Sequence, residues 1–140
     1  MKILVDTTVW SVALRRRSRT AAEDALVREL DELVRGGRAV LAGPVRQEVL
    51  SGIHDAAHFE TVKRHLEPFE DLAIERADWE AAAALSNKCR RRGIQGSHID
   101  FLLCAVSLRH DAPVFTTDLD FTRYHQHLGL RLHHARSDSR

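Results

Sequence analysis

Apolar residues in this chain gather in short continuous runs that alternate with longer segments of helical period. Ile3, Leu4 and Val5 form a β-rich run closed by Asp6, the pattern of a strand buried on both faces. A helix is expected over 7–14, and the arginine-rich stretch after it reads as an exposed loop. Thr20 and Glu23 stand at capping-box spacing. Leu26, Val27, Leu30, Leu33 and Val34 then recur at helical period until Gly36 and Gly37 stop the run. Residues 39–42 predict a second strand, ended by Gly43 and Pro44, and proline suits the start of a third helix striped by Val45, Val49, Leu50 and Ile53. Phe59, Val62 and Leu66 stripe a fourth helix that Pro68 closes. Residues 72–74 predict a third strand and 78–92 a long helix ending at Gly93. Ser97 can cap a helix running through Ile99, Leu102, Leu103 and Val106, 114–116 read as a fourth strand, and 130–132 as a last one after a short helix. Strands separated by helices call for right-handed crossovers, so the expected fold class is α/β: one domain over 1–134 with a parallel sheet flanked by helices. The Arg- and Ser-rich residues 135–140 read as a disordered tail.

Composition narrows the function classes more than the fold. With 140 residues, 44% apolar and 29% charged, the chain can bury a core without disulfides or a structural metal. Its 21 basic and 20 acidic residues leave a formal charge of +1, so any grip on nucleic acid must be a local patch. Cys89 and Cys104 lie in helix-like segments without zinc-ribbon or C-x-x-C spacing, which points to reduced thiols and a cytoplasmic location. The opening apolar run breaks at Asp6, too soon for a signal sequence or a span, and no membrane association is expected.

The chemistry sits at strand ends. Asp6 and Asp118 each follow a short apolar run, which puts both at the carboxyl edge of the sheet, where open α/β folds bind ligands. Glu48, one turn into the third helix, and Asp100, in the first turn of the helix before strand four, can overhang the same edge. Four carboxylates in one small volume are tolerable at neutral pH only if they protonate or bind a cation. An all-oxygen set selects Mg²⁺ or Mn²⁺ over zinc, and such ions activate water and stabilise phosphodiester transition states. The hydroxyls of Thr7, Thr8, Thr116 and Thr117 are suited to orienting carboxylates or water. Each acid also has a plain reading: Asp100 as the capping-box partner of Ser97, Asp6 as a helix start, Asp118 and Asp120 as turn residues, Glu48 as a solvated helix residue. Those readings leave the recurrence of acids at strand ends to chance. HDAAH at 54–58 mimics a helical zinc motif, but Asp55 stands where the catalytic Glu belongs. Arg90, Arg91 and Arg92 complement a helix C-terminus, whereas Arg15, Arg16 and Arg17, in a loop soon after Asp6, are candidates for contact with an RNA backbone.

The segments VDTTVW, QEVLSG, HIDFLLCAVSL and FTTDLDF, with Asp6, Glu48, Asp100 and the set Thr116, Asp118 and Asp120, resemble in order and interval the motifs of the PIN-domain ribonucleases, in particular the VapC-type toxins of toxin-antitoxin pairs. That resemblance implies a five-stranded parallel sheet in the order 3-2-1-4-5, with the first and fourth strands adjacent. It implies a Mg²⁺- or Mn²⁺-dependent endoribonuclease, a homodimer acting on RNA and held inactive by a cognate VapB-type antitoxin. Asp6 and Asp100 would be the principal metal ligands, with Glu48 and Asp118 completing the acidic pocket. Asp120, Thr8 and Thr116 would be additional or supporting members. LLCA, where a run closer to LIAA is expected, puts Cys104 in a helix-packing place. A haloacid-dehalogenase-like phosphatase is the rival enzyme, since Asp6 ends the first strand with Thr8 two residues on, but the second Asp and the late lysine of that mechanism are missing. A catalytically inactive PIN-like domain that only binds RNA or a partner would be expected to have lost an acid.

Overall fold

The structure, a computed structural model, describes residues 1–15 and 18–136. Its elements run β1 (Ile3–Val5), α1 (Thr7–Ala13), α2 (Ala21–Arg35), β2 (Ala39–Val40), α3 (Gly43–Ser51), α4 (Ala56–Leu66), α5 (Arg76–Arg90), α6 (His98–His110), β3 (Val114–Phe115), α7 (Asp120–Leu128) and β4 (Leu132–His133). The local signals act where expected. Thr20 and Glu23 form a reciprocal capping box on α2, Pro44 lies in the first turn of α3, and Ser97 Oγ accepts from the Asp100 amide to cap α6. The HDAAH segment is explained as a helix start, because the Asp55 carboxylate accepts from the His58 amide at the N-terminus of α4.

The sheet is parallel throughout and has four strands in the order β2-β1-β3-β4. This corrects the expectation of five strands in the order 3-2-1-4-5: the edge strand expected third does not form, and the expected second, first, fourth and fifth make up the sheet. The segment expected as strand three, 72–74, forms no strand; just before it Asp71 makes one isolated parallel bridge with Leu41, through the Leu41 amide to Glu70 O and the Leu72 amide to Leu41 O. Its partner strand is too short to offer more, because the backbone turns into α3 at Gly43 directly after Ala42. The last strand is displaced toward the C-terminus, at Leu132–His133 instead of 130–132. Gly129 ends α7 in the left-handed region and the His125 ring donates to the Leu130 carbonyl, so Leu130 completes the helix turn before pairing begins at Leu132. Of the expected tail, Ala135 packs against the core and Arg136 pairs with Glu29, while 137–140 lie outside the described residues.

All residues of β1, β2 and β3 are buried. A strand buried on both faces reads as continuous apolar sequence, and these do. Helix α6 is buried without interruption over 101–107 and packs along α5. Over that stretch it is buried on every side, which is why the sequence there lacks an alternation of faces. Cys89 and Cys104 are free and buried, as expected for packing residues; burial pushes the Cys104 thiol well above its ordinary value.

Candidate active site

β1 and β3 are hydrogen-bonded neighbours, and their pairing runs one step past β1, where the Asp6 amide donates to the Phe115 carbonyl at 2.9 Å. The residue after β1 and those after β3 therefore emerge side by side. Asp6 is 7% exposed. Its Oδ2 accepts from Thr116 Oγ1 at 2.7 Å and from Thr8 Oγ1 at 3.3 Å, and the two hydroxyls are themselves 3.3 Å apart. The same hydroxyls accept from the chain beyond β3: Thr116 Oγ1 from the Asp118 amide and Thr8 Oγ1 from the Thr117 amide, each at 3.0 Å. Asp6 begins α1 without making a side-chain cap, so its carboxylate is committed to the threonines rather than to the helix end. Burial raises the Asp6 carboxyl above its ordinary range, the Thr116, Thr7 and Thr8 hydrogen bonds oppose that, and the negative charge of Asp118 adds to it.

Asp100, Asp118 and Asp120 form the tightest acid group among the described residues, with one carboxylate oxygen from each lying within 4.8 Å of the others. Asp118 Oδ1 also accepts from the Asp120 amide, so the turn reading of Asp118 holds alongside its place in the cluster. Asp120 starts α7 and is gripped by Arg123 at 2.7 Å. Asp100 does not return its carboxylate to Ser97; its Oδ2 accepts instead from the hydroxyl of Tyr124 on α7 at 2.8 Å. Burial first, and then Asp100, holds that phenol above its ordinary range, so it is protonated and donates.

Glu48, on the exposed side of α3, does not join the three-acid group. Its carboxyl is nevertheless pushed up, by partial desolvation first and then by the charge of Asp6, with Asp100 and Asp118 adding. The Thr7 hydroxyl lies toward Glu48 and lowers its pKa, yet makes no hydrogen bond of ordinary geometry; it is the one buried side-chain polar atom without a partner among the described residues. A cleft lined by Thr7, Thr8, Val12, Leu26, Glu48 and Thr117 opens beside it. Arg15 also reaches this cleft, but its guanidinium is held by Glu23 at 2.6 Å. Arg16 and Arg17 lie outside the described residues. Tyr124 is the contact that sequence reasoning missed. It is an aromatic residue in an amphipathic helix, and only the approach of α7 to the start of α6 gives its hydroxyl an acid to bind.

The clustered carboxylates of Asp100, Asp118 and Asp120, the raised carboxyls of Asp6 and Glu48 beside them, all-oxygen donors and an unpartnered hydroxyl fit a hard divalent cation better than they fit a set of unrelated caps. A parallel α/β sheet carrying such an acidic edge between two neighbouring strands defines the class. The sequence places the chain within it: residues 3–126 match the PIN domain, and the chain belongs to the PIN domain family. It is 32% identical over 121 residues to VapC ribonuclease Mb1587 of Mycobacterium bovis, covering 85% of this chain and 88% of that protein. The same values hold for ribonuclease VapC11 of Mycobacterium tuberculosis. Its fold is similar to FitAcB from Neisseria gonorrhoeae, with TM-score 0.72 and 18% identity over 95% of this chain and 97% of that one. It is also similar to VapBC2 from Rickettsia felis bound to a promoter DNA fragment, with TM-score 0.72 and 15% identity over 95% and 98% of the two chains. Among the described residues no helix is long and apolar enough to cross a membrane.

Proposed function

We propose that the chain is a metal-dependent endoribonuclease, the toxin of a VapBC-type pair, that hydrolyses RNA phosphodiester bonds at the acidic edge. The observation that carries the reading is the convergence of Asp100, Asp118 and Asp120 beside a buried Asp6 whose partners come from both neighbouring strand ends. Family membership and the two VapC ribonuclease relatives support the substrate class. Asp6, Glu48, Asp100 and Asp118 would hold Mg²⁺ or Mn²⁺, with Asp120 a further member. A divalent ion bound there supplies a water of lowered pKa and positive charge for the phosphate oxygens. Thr116 and Thr8 keep the Asp6 carboxylate aimed and hydrogen-bonded while it is buried. Glu48, exposed at the open rim, is suited to position a water and accept its proton. The hydroxyls that donate to Asp6 serve to aim its carboxylate, and the attacking group in this reading is water, so the reaction is direct hydrolysis without a covalent intermediate.

The partners follow from the same reading: an RNA substrate, a second copy in a homodimer, and a VapB-type antitoxin that covers the crevice. The solved FitAB and VapBC2 structures, each bound to DNA and similar to this chain in fold, fit the choice of a VapB-type partner. Of the arginines proposed to meet RNA, Arg15 would first have to leave Glu23. Purified protein should cleave RNA with Mn²⁺ or Mg²⁺ and stop on chelation. Asp6→Ala, Glu48→Ala, Asp100→Ala and Asp118→Ala should each remove cleavage while retaining the fold. Full activity in two of the four would remove the site assignment, and RNA binding without any cleavage by the wild type would restore the inactive-domain reading.

A further inference from the structure

Tyr124 is fully buried at 0% exposure, and its ring is locked between Phe101, 5.3 Å away and tilted, and Phe121, 5.1 Å away and edge-on. Both neighbours are themselves buried, so the ring cannot swing. Its hydroxyl is delivered to one acceptor, Asp100 Oδ2, at 2.8 Å. The approach depends on Gly96. A Cβ at that position would fall onto the Tyr124 hydroxyl, with the ring carbon Cζ at 3.0 Å and Phe101 Cε2 at 3.1 Å. Gly96 does not have a positive φ, so glycine is needed there for space and not for backbone conformation. The segment that makes this room leads directly into Ser97, which caps the helix bearing Asp100. Loop, cap and tyrosine thus act on one carboxylate.

We propose that Tyr124 is a positioning residue for the acidic site: its hydroxyl holds the Asp100 carboxylate in one orientation toward Asp118 and Asp120, and Gly96 provides the space that lets it do so. A carboxylate has about four lone-pair sites, so one bond from the phenol leaves the rest for a cation. Because the aromatic packing fixes the donor in advance, little ordering remains to be done when the cation arrives. Groups that orient ligands in this way typically govern affinity and turnover without touching substrate. The inference rests on the proposed cation site.

The test is Mn²⁺ titration calorimetry on the full chain, comparing wild type, Tyr124→Phe, Gly96→Ala and the double variant, with melting curves in chelated buffer. Tyr124→Phe keeps the ring and removes one oxygen. We expect its Mn²⁺ affinity to fall about tenfold, with kcat on RNA falling in parallel, KM unchanged and the metal-free melting temperature retained. Gly96→Ala should weaken Mn²⁺ binding, and less so in the Tyr124→Phe background, where the Cβ still meets the two rings but no longer the hydroxyl. If Gly96→Ala does not fold, Tyr124→Phe decides alone. Equal Mn²⁺ affinity in wild type and Tyr124→Phe overturns the positioning role and leaves the proposed function standing. A folded wild type that binds no Mn²⁺ overturns both.

Discussion

Asp6 shows how much of the site's character belongs to single residues. The chain buries a carboxylate at a strand end and gives it two hydroxyl donors, one from its own helix start and one from the neighbouring strand end. Two hydroxyl protons serve three close contacts, and the network contains no positive charge. Burial still holds the carboxyl above its ordinary 3.8, because these hydrogen bonds offset the desolvation only in part. An acid whose folded pKa is raised gives stability that is fully present below the unfolded value and is lost as pH climbs through the folded value. In metal-free buffer Asp6→Asn should therefore gain on the wild type as pH rises from about 4 to 7, because the neutral amide keeps the shape without the charge. Calorimetric melting of both proteins across that range checks it, and a constant difference would show that Asp6 is not under electrostatic strain. Asp6 was legible in the sequence because it ends an apolar run. Tyr124 was not, because nothing along the chain records which acid a buried phenol will meet.

Helix ends and crossings make up the next scale. α5 begins with a reciprocal box between Glu75 and Asp78, and the buried Asp78 carboxylate is then taken bidentately by Arg109 of α6, at 2.7 and 2.8 Å. Arg109 also donates to the Ala73 carbonyl, fixing the segment that failed to become a strand. The Arg109 hydrogen bonds are the main reason that the Asp78 carboxyl lies below its ordinary value. The sign is opposite to that of Asp6: this stability is present above the unfolded pKa and lost as pH falls through the lower folded value. Arg109→Leu should destabilise the fold, because it leaves the buried Asp78 carboxylate without its cation, and should flatten the acid limb of stability. Urea melts at pH 3 and pH 7 measure both effects. Gly129 makes a second test. With φ of 79° at the end of α7, it should cost about 1 to 2 kcal/mol as Gly129→Ala, since an L side chain is strained there. The same substitution at Gly43, where a Cβ meets open space, should cost far less.

At the scale of the molecule the acidic edge is a stress that a ligand can relieve. An ion that binds the folded edge and not the unfolded chain stabilises by mass action, about 2.7 kcal/mol at a hundredfold excess over Kd. Millimolar Mn²⁺ or Mg²⁺ should raise the melting temperature of the wild type and have little effect on Asp100→Ala. A metal-insensitive wild type would mean that the acids do not share a cation. For the toxin role, expression of the wild type in a bacterium should arrest growth, and co-expression of the antitoxin encoded beside it should restore growth. Growth unimpaired by active protein would count against that role.

The sequence by itself determined the α/β class, the succession of most elements, the caps that start α2 and α6, and the acids worth testing. These are written in local signals: apolar runs, helical period, turn residues and short-range hydrogen bonding. It did not determine how far each strand would pair. The segment at 72–74 is apolar enough for a strand but finds only a two-residue partner, and the last strand waits until Gly129 and Leu130 have closed α7. Tertiary structure alone decided that Asp100, Asp118 and Asp120 make the tightest acid group while Glu48 stands at the rim. It also turned Asp100 away from its cap and toward Tyr124. Such distances depend on how α6 and α7 pack across the sheet edge, and packing joins residues far apart along the chain, 24 positions for Tyr124 and Asp100, which no local pattern encodes.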